Sequence, residues 1–133
     1  MIYLDTSVAL LSLLGQSGAD EAARLIMDAR ATEGLVSSCL LQVEMARAAH
    51  RDHFDVRVVD EFIAGVELVE IGPDVVDRAS ALTGGLKSLD AIHLATATLL
   101  DDPRHPVTVL THDARLADAA RSRGLSAIDP LGS

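Results

Sequence analysis

The sequence is short of aromatic residues and cysteine, and each shortage narrows the range of possible functions. The 133 residues include two Phe, one Tyr and no Trp, so the aromatic platforms that stack on single-stranded nucleic acid are largely absent. The single cysteine, Cys39, cannot form an internal disulfide, and nothing in the sequence requires an oxidising compartment. We therefore expect a cytoplasmic protein.

Basic residues are also scarce. Eleven Lys and Arg stand against twenty Asp and Glu, which gives a formal net charge of −9. This balance disfavours broad adhesion to nucleic acid, because such adhesion depends on cations that neutralise phosphates. Chemistry on a nucleic acid would have to be local and assisted by a bound cation, and the same acidity also suits a basic protein partner.

Long hydrophobic runs are missing as well. No apolar run approaches the ~20 residues of a membrane helix, and the first apolar run, which no basic segment precedes, is interrupted by Asp5. Hydrophobic types nevertheless make up 49% of the chain, enough to bury a substantial core. Without a repeat, low-complexity tract or linker, we predict one soluble domain over residues 1–133 with no membrane association.

Short apolar runs alternate with segments of helical periodicity, and this alternation predicts a parallel sheet covered by helices on both faces. The predicted strands are residues 2–4, 35–37, 67–71, 107–110 and 126–128. Helices are predicted around residues 22–29, after the second strand, from Asp55 towards Gly65, from Gly72-Pro73, from Ser88 towards Pro103, and over 113–123. Asp55 and Ser88 are predicted N-caps.

Four acidic residues occupy related places in this pattern. Asp5 and Asp113 follow the first and fourth strands, Glu44 lies in the helix after the second strand, and Asp90 lies in the first turn of the helix from Ser88. In an open parallel sheet, ligands bind at the edge where the strands end. Taken singly, each acid has a structural explanation. These explanations are a turn with Ser7 for Asp5, pairing with Arg47 for Glu44, a helix N-terminus for Asp90 and a helix cap for Asp113.

Taken together, the four acids indicate a metal site. Glu44 and Asp90 are flanked by apolar residues, which suggests helices that are largely buried, and acids on buried helices need partners. Two carboxylates ~4 Å apart repel by roughly 4 kcal/mol at an effective dielectric of 20, so converging acids must share protons or hold a cation. The preferred occupant of such an oxygen site is Mg²⁺ or Mn²⁺.

Four segments carry a family resemblance that extends over nearly the whole chain. They are LDTSVA at 4–9, SSCLLQVEMARA at 37–48, SLDAIHLATA at 88–97 and VLTHDARLADAA at 109–120. In this order they resemble a PIN-domain ribonuclease of the VapC toxin type. The resemblance implies a three-layer α/β/α Rossmann-like fold with a mainly parallel five-stranded sheet of order 3-2-1-4-5. It also places the catalytic, metal-binding carboxylates at Asp5, Glu44, Asp90 and Asp113, with Thr6 and Thr111 as supporting hydroxyls.

The same resemblance implies the substrate and the partners. RNA would be hydrolysed with Mg²⁺ or Mn²⁺, because a bound divalent ion acidifies water and neutralises phosphate charge. Four basic residues near the motifs are candidates for binding flanking phosphates: Arg47, Arg51, Lys87 and Arg115. A VapB-like antitoxin, which would place an arginine among the carboxylates, and a second copy of the chain are the expected protein partners.

Other interpretations are weighed against this one. The five histidines show no pairing typical of zinc sites, and we expect His93 to be a hydrogen-bonded residue of the core or of the site edge. The sequence also lacks the spacing of acidic residues that is typical of haloacid-dehalogenase-like phosphatases and of response-regulator receivers. Two alternatives stay open, namely an RNA-processing PIN nuclease outside a toxin system and a non-catalytic acidic module that binds a basic peptide.

Overall fold

The computed structural model describes residues 1–132. Its strands are β1 (Ile2–Leu4), β2 (Leu35–Ser38), β3 (Glu67–Val69), β4 (Thr108–Leu110) and β5 (Ser126–Ile128). They form one parallel sheet in the order β3-β2-β1-β4-β5. The central strand β1 pairs with β2 on one side and β4 on the other, with Ile2 opposite Leu35 and Thr108. The predicted strand order is confirmed.

Helices lie between successive strands along the chain. They are α1 (Thr6–Leu13), α2 (Ala19–Ala31), α3 (Leu40–Asp52), α4 (Val56–Ile63), α5 (Pro73–Ala81), α6 (Ser88–Leu100) and α7 (Ala114–Ser122). No helix within residues 1–132 has both the length and the apolar character needed to cross a membrane.

Two hydrophobic cores cover the two faces of the sheet, because successive side chains of a strand point to opposite faces. Ile2 and Leu4 pack with residues of α1 to α4, including Met45. Tyr3, between them in sequence, packs on the other face with residues of α6 and α7, including Leu94 and Leu116. The result is the predicted three-layer arrangement of helices, sheet and helices.

Most of the predicted helix ends agree with the structure. Asp55 caps α4 by accepting a hydrogen bond from the Arg57 backbone N–H at 2.9 Å. Pro73 begins α5, where its missing N–H costs nothing. The prediction for α6 is wrong, because its N-cap residue is Lys87, which makes no side-chain cap, and Ser88 is the first helical residue.

The expectation that the Glu44 and Asp90 helices are largely buried is confirmed for α6, where three of thirteen residues are exposed, and is wrong for α3, where six of thirteen are exposed. Val43 on α3 is 54% exposed, and Leu89 on α6 is 48% exposed. Both helices bury the opposite side, including Met45 and Leu94, and leave these apolar residues facing solvent. Glu44 and Asp90 therefore lie at the boundary between core and solvent.

The first helix, α1, is absent from the sequence prediction. It contains Val8, Ala9, Leu10 and Leu11 in succession, so apolar residues occupy all sides and no helical periodicity appears. The structure explains this composition, because α1 lies against both α2 and α3 and its residues Val8 and Ala9 are fully buried. A helix enclosed by neighbours does not need a polar face.

Candidate active site

The four acidic residues all lie near the carboxyl edge of the sheet. Asp5 directly follows β1, Asp113 is the N-cap of α7 shortly after β4, Glu44 lies in the second turn of α3, and Asp90 lies in the first turn of α6. The parallel strands and their crossovers therefore bring together side chains from four distant segments of the sequence.

Asp5 is buried and held by hydroxyl groups. The residue is only 4% exposed. Its Oδ2 accepts hydrogen bonds from Ser7 Oγ at 2.6 Å and from Thr111 Oγ1 at 2.9 Å. The Asp5 backbone N–H also donates to the Leu110 carbonyl at 3.0 Å. Strands β1 and β4 thus fix the position of this carboxylate, while Oδ1 accepts none of these hydroxyl bonds.

Glu44 is held by a second set of polar groups. Its Oε1 accepts a hydrogen bond from Thr6 Oγ1 at 2.6 Å and lies 2.7 Å from His93 Nε2. The other ring nitrogen of His93, Nδ1, lies 2.7 Å from the Tyr3 hydroxyl. His93 is 1% exposed, and its Nε2 is 3.8 Å from Asp5 Oδ1. One imidazole therefore connects the core to two of the carboxylates.

The Glu44 and His93 side chains stabilise each other's charged forms. Burial disfavours a charged imidazole, but the hydrogen bond to Glu44 and the nearby Asp5, Glu44 and Asp90 carboxylates raise the pKa of His93 above its ordinary value. Burial likewise opposes the Glu44 charge, but hydrogen bonds from His93 and Thr6 hold the pKa of Glu44 below its ordinary value. An imidazolium–carboxylate pair is therefore favoured at this position.

Asp113 and Asp90 line an open cavity of about 380 Å³. Asp113 Oδ1 accepts hydrogen bonds from the Arg115 and Leu116 backbone N–H groups, so it also acts as the helix cap that its position predicts. Asp90 forms no hydrogen bond or ion pair with any residue of 1–132. Its carboxylate is half-buried and faces this cavity without a fixed donor.

The electrostatics of Asp90 show that the four acids influence one another. Burial raises the pKa of Asp90, and the charges of Asp113, Asp5 and Glu44 raise it further, against a smaller lowering by His93. Asp90 therefore lies within electrostatic range of the other three carboxylates. A cation placed among them would relieve this repulsion.

The donor chemistry fits a hard divalent cation, since all four groups are carboxylates. Within the described residues, however, no three His, Cys, Asp or Glu side chains are already placed to hold one ion. Glu44 is turned towards Thr6 and His93, and Asp113 towards the first turn of α7. Binding an ion through all four groups would require these side chains to change partners.

Comparison with known proteins identifies the family. The PIN domain family matches residues 2–122. Ribonuclease VapC35 of Mycobacterium tuberculosis is 33% identical over 132 residues, covering 98% of this chain and 97% of that protein. Ribonuclease VapC46 of the same organism is 35% identical over 133 residues, covering 97% of each. The chain belongs to the PIN-domain family, in its VapC type.

Solved structures share the fold of this PIN domain. A toxin–antitoxin complex from Klebsiella pneumoniae aligns with a TM-score of 0.73 at 21% identity, over 98% of each chain. VapBC2 from Rickettsia felis, bound to a DNA fragment from its promoter, aligns with a TM-score of 0.69 at 12% identity, over 97% of this chain and 98% of that one. At these identities the match concerns the fold.

The four candidate phosphate-binding residues of the PIN domain separate into two groups. Lys87 and Arg115 line the same cavity as Asp90 and Asp113. Arg51 instead forms an ion pair with its neighbour Asp52 at 2.9 Å, and Arg47 is exposed on α3 outside the lining of that cavity. The structure thus brings two of the four to the acidic residues.

Three polar side chains of the PIN-domain site lie outside the predicted catalytic and supporting set, although the expectations that His93 is a hydrogen-bonded residue of the core or site edge and that Ser7 pairs with Asp5 are confirmed. Ser7 binds Asp5, His93 binds Glu44, and Tyr3 binds His93. A sequence signal exists for two of them, because Ser7 follows Asp5 by two residues and His93 follows Asp90 by three, one helical turn away. No local signal exists for Tyr3, which lies within a buried strand ninety residues from His93.

Proposed function

We propose that this chain, acting as one domain over residues 1–133, is the toxin of a type II toxin–antitoxin system and a Mg²⁺- or Mn²⁺-dependent endoribonuclease. The observation that carries the proposal is the position of Asp5, Glu44, Asp90 and Asp113 at the carboxyl edge of the sheet, to which four distant segments of the sequence bring them. The relatives named ribonuclease, similar along their whole length, support RNA as the substrate.

In this proposal Asp5, Glu44, Asp90 and Asp113 hold the divalent cation. When bound, the cation supplies a more acidic water and neutralises charge on the phosphate. Thr6 and Thr111 act as supporting hydroxyls, because they donate to Glu44 and Asp5 and so orient carboxylate oxygens.

Other residues of the chain bind phosphates and position the carboxylates. Lys87 and Arg115, in the cavity with Asp90 and Asp113, bind phosphates that flank the cleaved bond. The His93 side chain keeps Glu44 in place through Nε2, and Tyr3 keeps the imidazole in place through Nδ1. His93 is thus a positioning residue in this mechanism.

The test is cleavage of a labelled RNA panel with Mg²⁺, Mn²⁺ or chelator. Wild type should cut only with metal, and Asp5→Asn should lower the rate at least 10²-fold, the loss typical of removing one electrostatic group from an active site. Asp20→Asn, an exposed change on α2, is the matched control and should cut like wild type. Equal cutting in chelator would refute the mechanism.

We also infer a small VapB-like antitoxin as the partner. The solved toxin–antitoxin complexes with this fold support that inference, and the carboxylate cluster is a suitable site for an inserted arginine. Titration with the product of a short open reading frame beside the gene should abolish cleavage. Full activity in a verified complex would contradict it, and the absence of such a reading frame would favour an RNA-processing nuclease.

We also propose that the chain forms a homodimer. Val76 on α5 and Leu89 on α6 are large apolar residues left exposed on two helices that pack together, and such residues suit a self-contact. Light scattering should give twice the 14.0 kDa chain mass. Val76→Asp and Leu89→Asp together should shift the mass to that of one chain, and a dimer that survives them would place the contact elsewhere.

A further inference from the structure

Three neighbouring cavities on the α7 side of the molecule share lining residues and follow one another from the proposed active site. The first contains Asp90, Asp113, Lys87 and Arg115. The second shares Leu86 and Arg115 with the first and adds Arg123. The third shares Ser122 and Arg123 with the second and adds Arg78 from α5. We call the second and third cavities together the α7 groove.

We propose that the α7 groove binds the RNA strand on one side of the cleaved phosphate, through Arg115, Arg123 and Arg78. This inference rests on the proposed function and extends it from the site of chemistry to the path of the substrate. The sequence prediction named Arg47, Arg51, Lys87 and Arg115 as substrate contacts. The proposal keeps Arg115, adds Arg78 and Arg123, and does not use Arg47 and Arg51 on α3.

The shape of the groove suits an extended strand. Arg115, Ala119 and Ser122 are spaced by four and three residues, so they lie along one face of α7, and Arg123 follows at its end. Eight residues of helix span about 12 Å. At 3.4 Å per nucleotide of a stacked strand, this length matches about three or four nucleotides. The groove is therefore long enough to hold phosphates beyond those at the carboxylates.

The charges of the groove suit phosphates. Within residues 1–132, Lys87, Arg78, Arg115 and Arg123 form no ion pair. Most arginines elsewhere are already engaged. Arg24 pairs with Glu21 and Asp28, Arg51 with Asp52 and Arg57 with Asp55, while Arg30 binds the Phe62 carbonyl.

The acids in the groove are engaged by other groups. Asp118 pairs with Arg121 at 3.7 Å, and Asp101 accepts a hydrogen bond from the Val107 backbone N–H at 2.9 Å. In a chain with a net charge of −9, Lys87, Arg78, Arg115 and Arg123 thus lie along one path that leads to the carboxylates, whereas Arg47 and Arg104, also without an ion pair within residues 1–132, lie outside it. An acidic peptide could use the same charges, but the direct opening onto the proposed site of hydrolysis favours RNA.

The experiment measures binding of a fluorescein-labelled, mixed-sequence, 20-nucleotide single-stranded RNA in EDTA at several salt concentrations. The test variant is Arg78→Gln with Arg123→Gln. The matched control is Arg24→Gln with Arg57→Gln, which removes the same charge from exposed, paired arginines of α2 and α4. Circular dichroism and thermal melting establish that each variant is folded.

Loss of two phosphate contacts to a single strand should reduce the salt slope by about 1.4 and the affinity at 0.1 M salt by about 25-fold. The control should bind like wild type. Equal slopes for test and control variants, with wild type binding and cutting RNA, would overturn the groove assignment alone. Wild type that neither binds nor cuts any RNA would overturn the proposed function as well.

Discussion

The two halves of the proposed active site are held in different ways. Asp5 and Glu44 are bound by Ser7, Thr111, Thr6 and His93, side chains that are themselves buried or half-buried. On the other side, Asp90 has no donor within residues 1–132 and Asp113 is satisfied only by backbone N–H groups at the start of α7. We refer to these as the tethered half and the open half.

This difference follows from burial. A carboxylate removed from water must be compensated by hydrogen bonds or by an opposite charge, and the tethered half supplies both. The open half borders a cavity, so water and dissolved ions can compensate it. Partial burial and the repulsion from the other carboxylates raise the pKa of Asp90. We therefore expect the tethered half to contribute to the stability of the fold and the open half to be the part that responds to a cation.

The largest expected effect on stability comes from breaking the tethered half. His93→Leu would remove the imidazole partner of the half-buried Glu44 carboxylate and of the buried Tyr3 hydroxyl, which keep only Thr6 and the Ser38 N–H, and we expect a loss of about 3 kcal/mol in the free energy of unfolding. Urea denaturation measures this loss. The control is His50→Leu, an exposed change on α3, which should stay within about 0.5 kcal/mol of wild type. A similar loss in both variants would contradict the comparison.

A cation should stabilise the protein through the open half. With Mn²⁺ at 100 times its dissociation constant, we expect about 2.7 kcal/mol of added stability, because the ion binds the folded state and not the unfolded one. Thermal melting with Mn²⁺ and with chelator measures the increase. Asp90→Asn should lose most of it, and an unchanged increase would show that Asp90 is not a ligand.

In chelator the same substitution should stabilise the protein. Because the pKa of Asp90 is raised in the folded state, its ionised form costs stability as the pH rises through that pKa. Asp90→Asn removes this cost, on the order of 1 kcal/mol, or about 4 °C in melting temperature at neutral pH. Asp77→Asn, on the exposed side of α5, should leave it unchanged. A lower melting temperature for Asp90→Asn would argue against repulsion.

The smallest expected effect is the pH dependence of the His93–Glu44 pair. The raised pKa of His93 contributes stability that is complete below its ordinary value of 6.5 and is lost as the pH rises through the folded value. The lowered pKa of Glu44 contributes stability that is present above its ordinary value of 4.5 and is lost as the pH falls through the folded value. The pair therefore stabilises most between pH 4.5 and 6.5.

Comparison of wild type with Glu44→Gln across this range isolates the effect. We expect the difference in unfolding free energy to be largest near the middle of the range and to fall by on the order of 0.5 kcal/mol above it, because burial opposes the charged pair. A difference that does not vary with pH would mean that His93 stays neutral throughout.

The sequence predicts the sheet and the edge that carries the acids. Strand runs such as residues 2–4 and 126–128 are short and apolar, and parallel topology then fixes where Asp5 and Asp113 must lie. The α1 helix is not predictable from periodicity, since its residues are enclosed on all sides. The prediction of Ser88 as the N-cap of α6 is also wrong, because Ser88 is one of several polar residues that could begin that helix.

Local sequence patterns do not predict the hydrogen bonds of the tethered half. Tyr3 and His93 meet only because β1 and α6 pack face to face, and Thr111 reaches Asp5 only because β4 pairs with β1. Such contacts depend on distances between elements that are far apart in the chain. Sequence motifs indicate which residues carry chemistry, but the fold determines which of them are supported by neighbours.

The hydrogen bond from Thr111 to Asp5 also has a consequence for synthesis of the protein. Asp5 leaves the ribosome 106 residues before Thr111, and its strand lacks one neighbour until residues 108–110 have emerged and paired with it. A growing chain that ends before Thr111 therefore has no complete tethered half. For the ribonuclease proposed above, the order of the strands would therefore delay activity until β4 has left the ribosome and paired with β1.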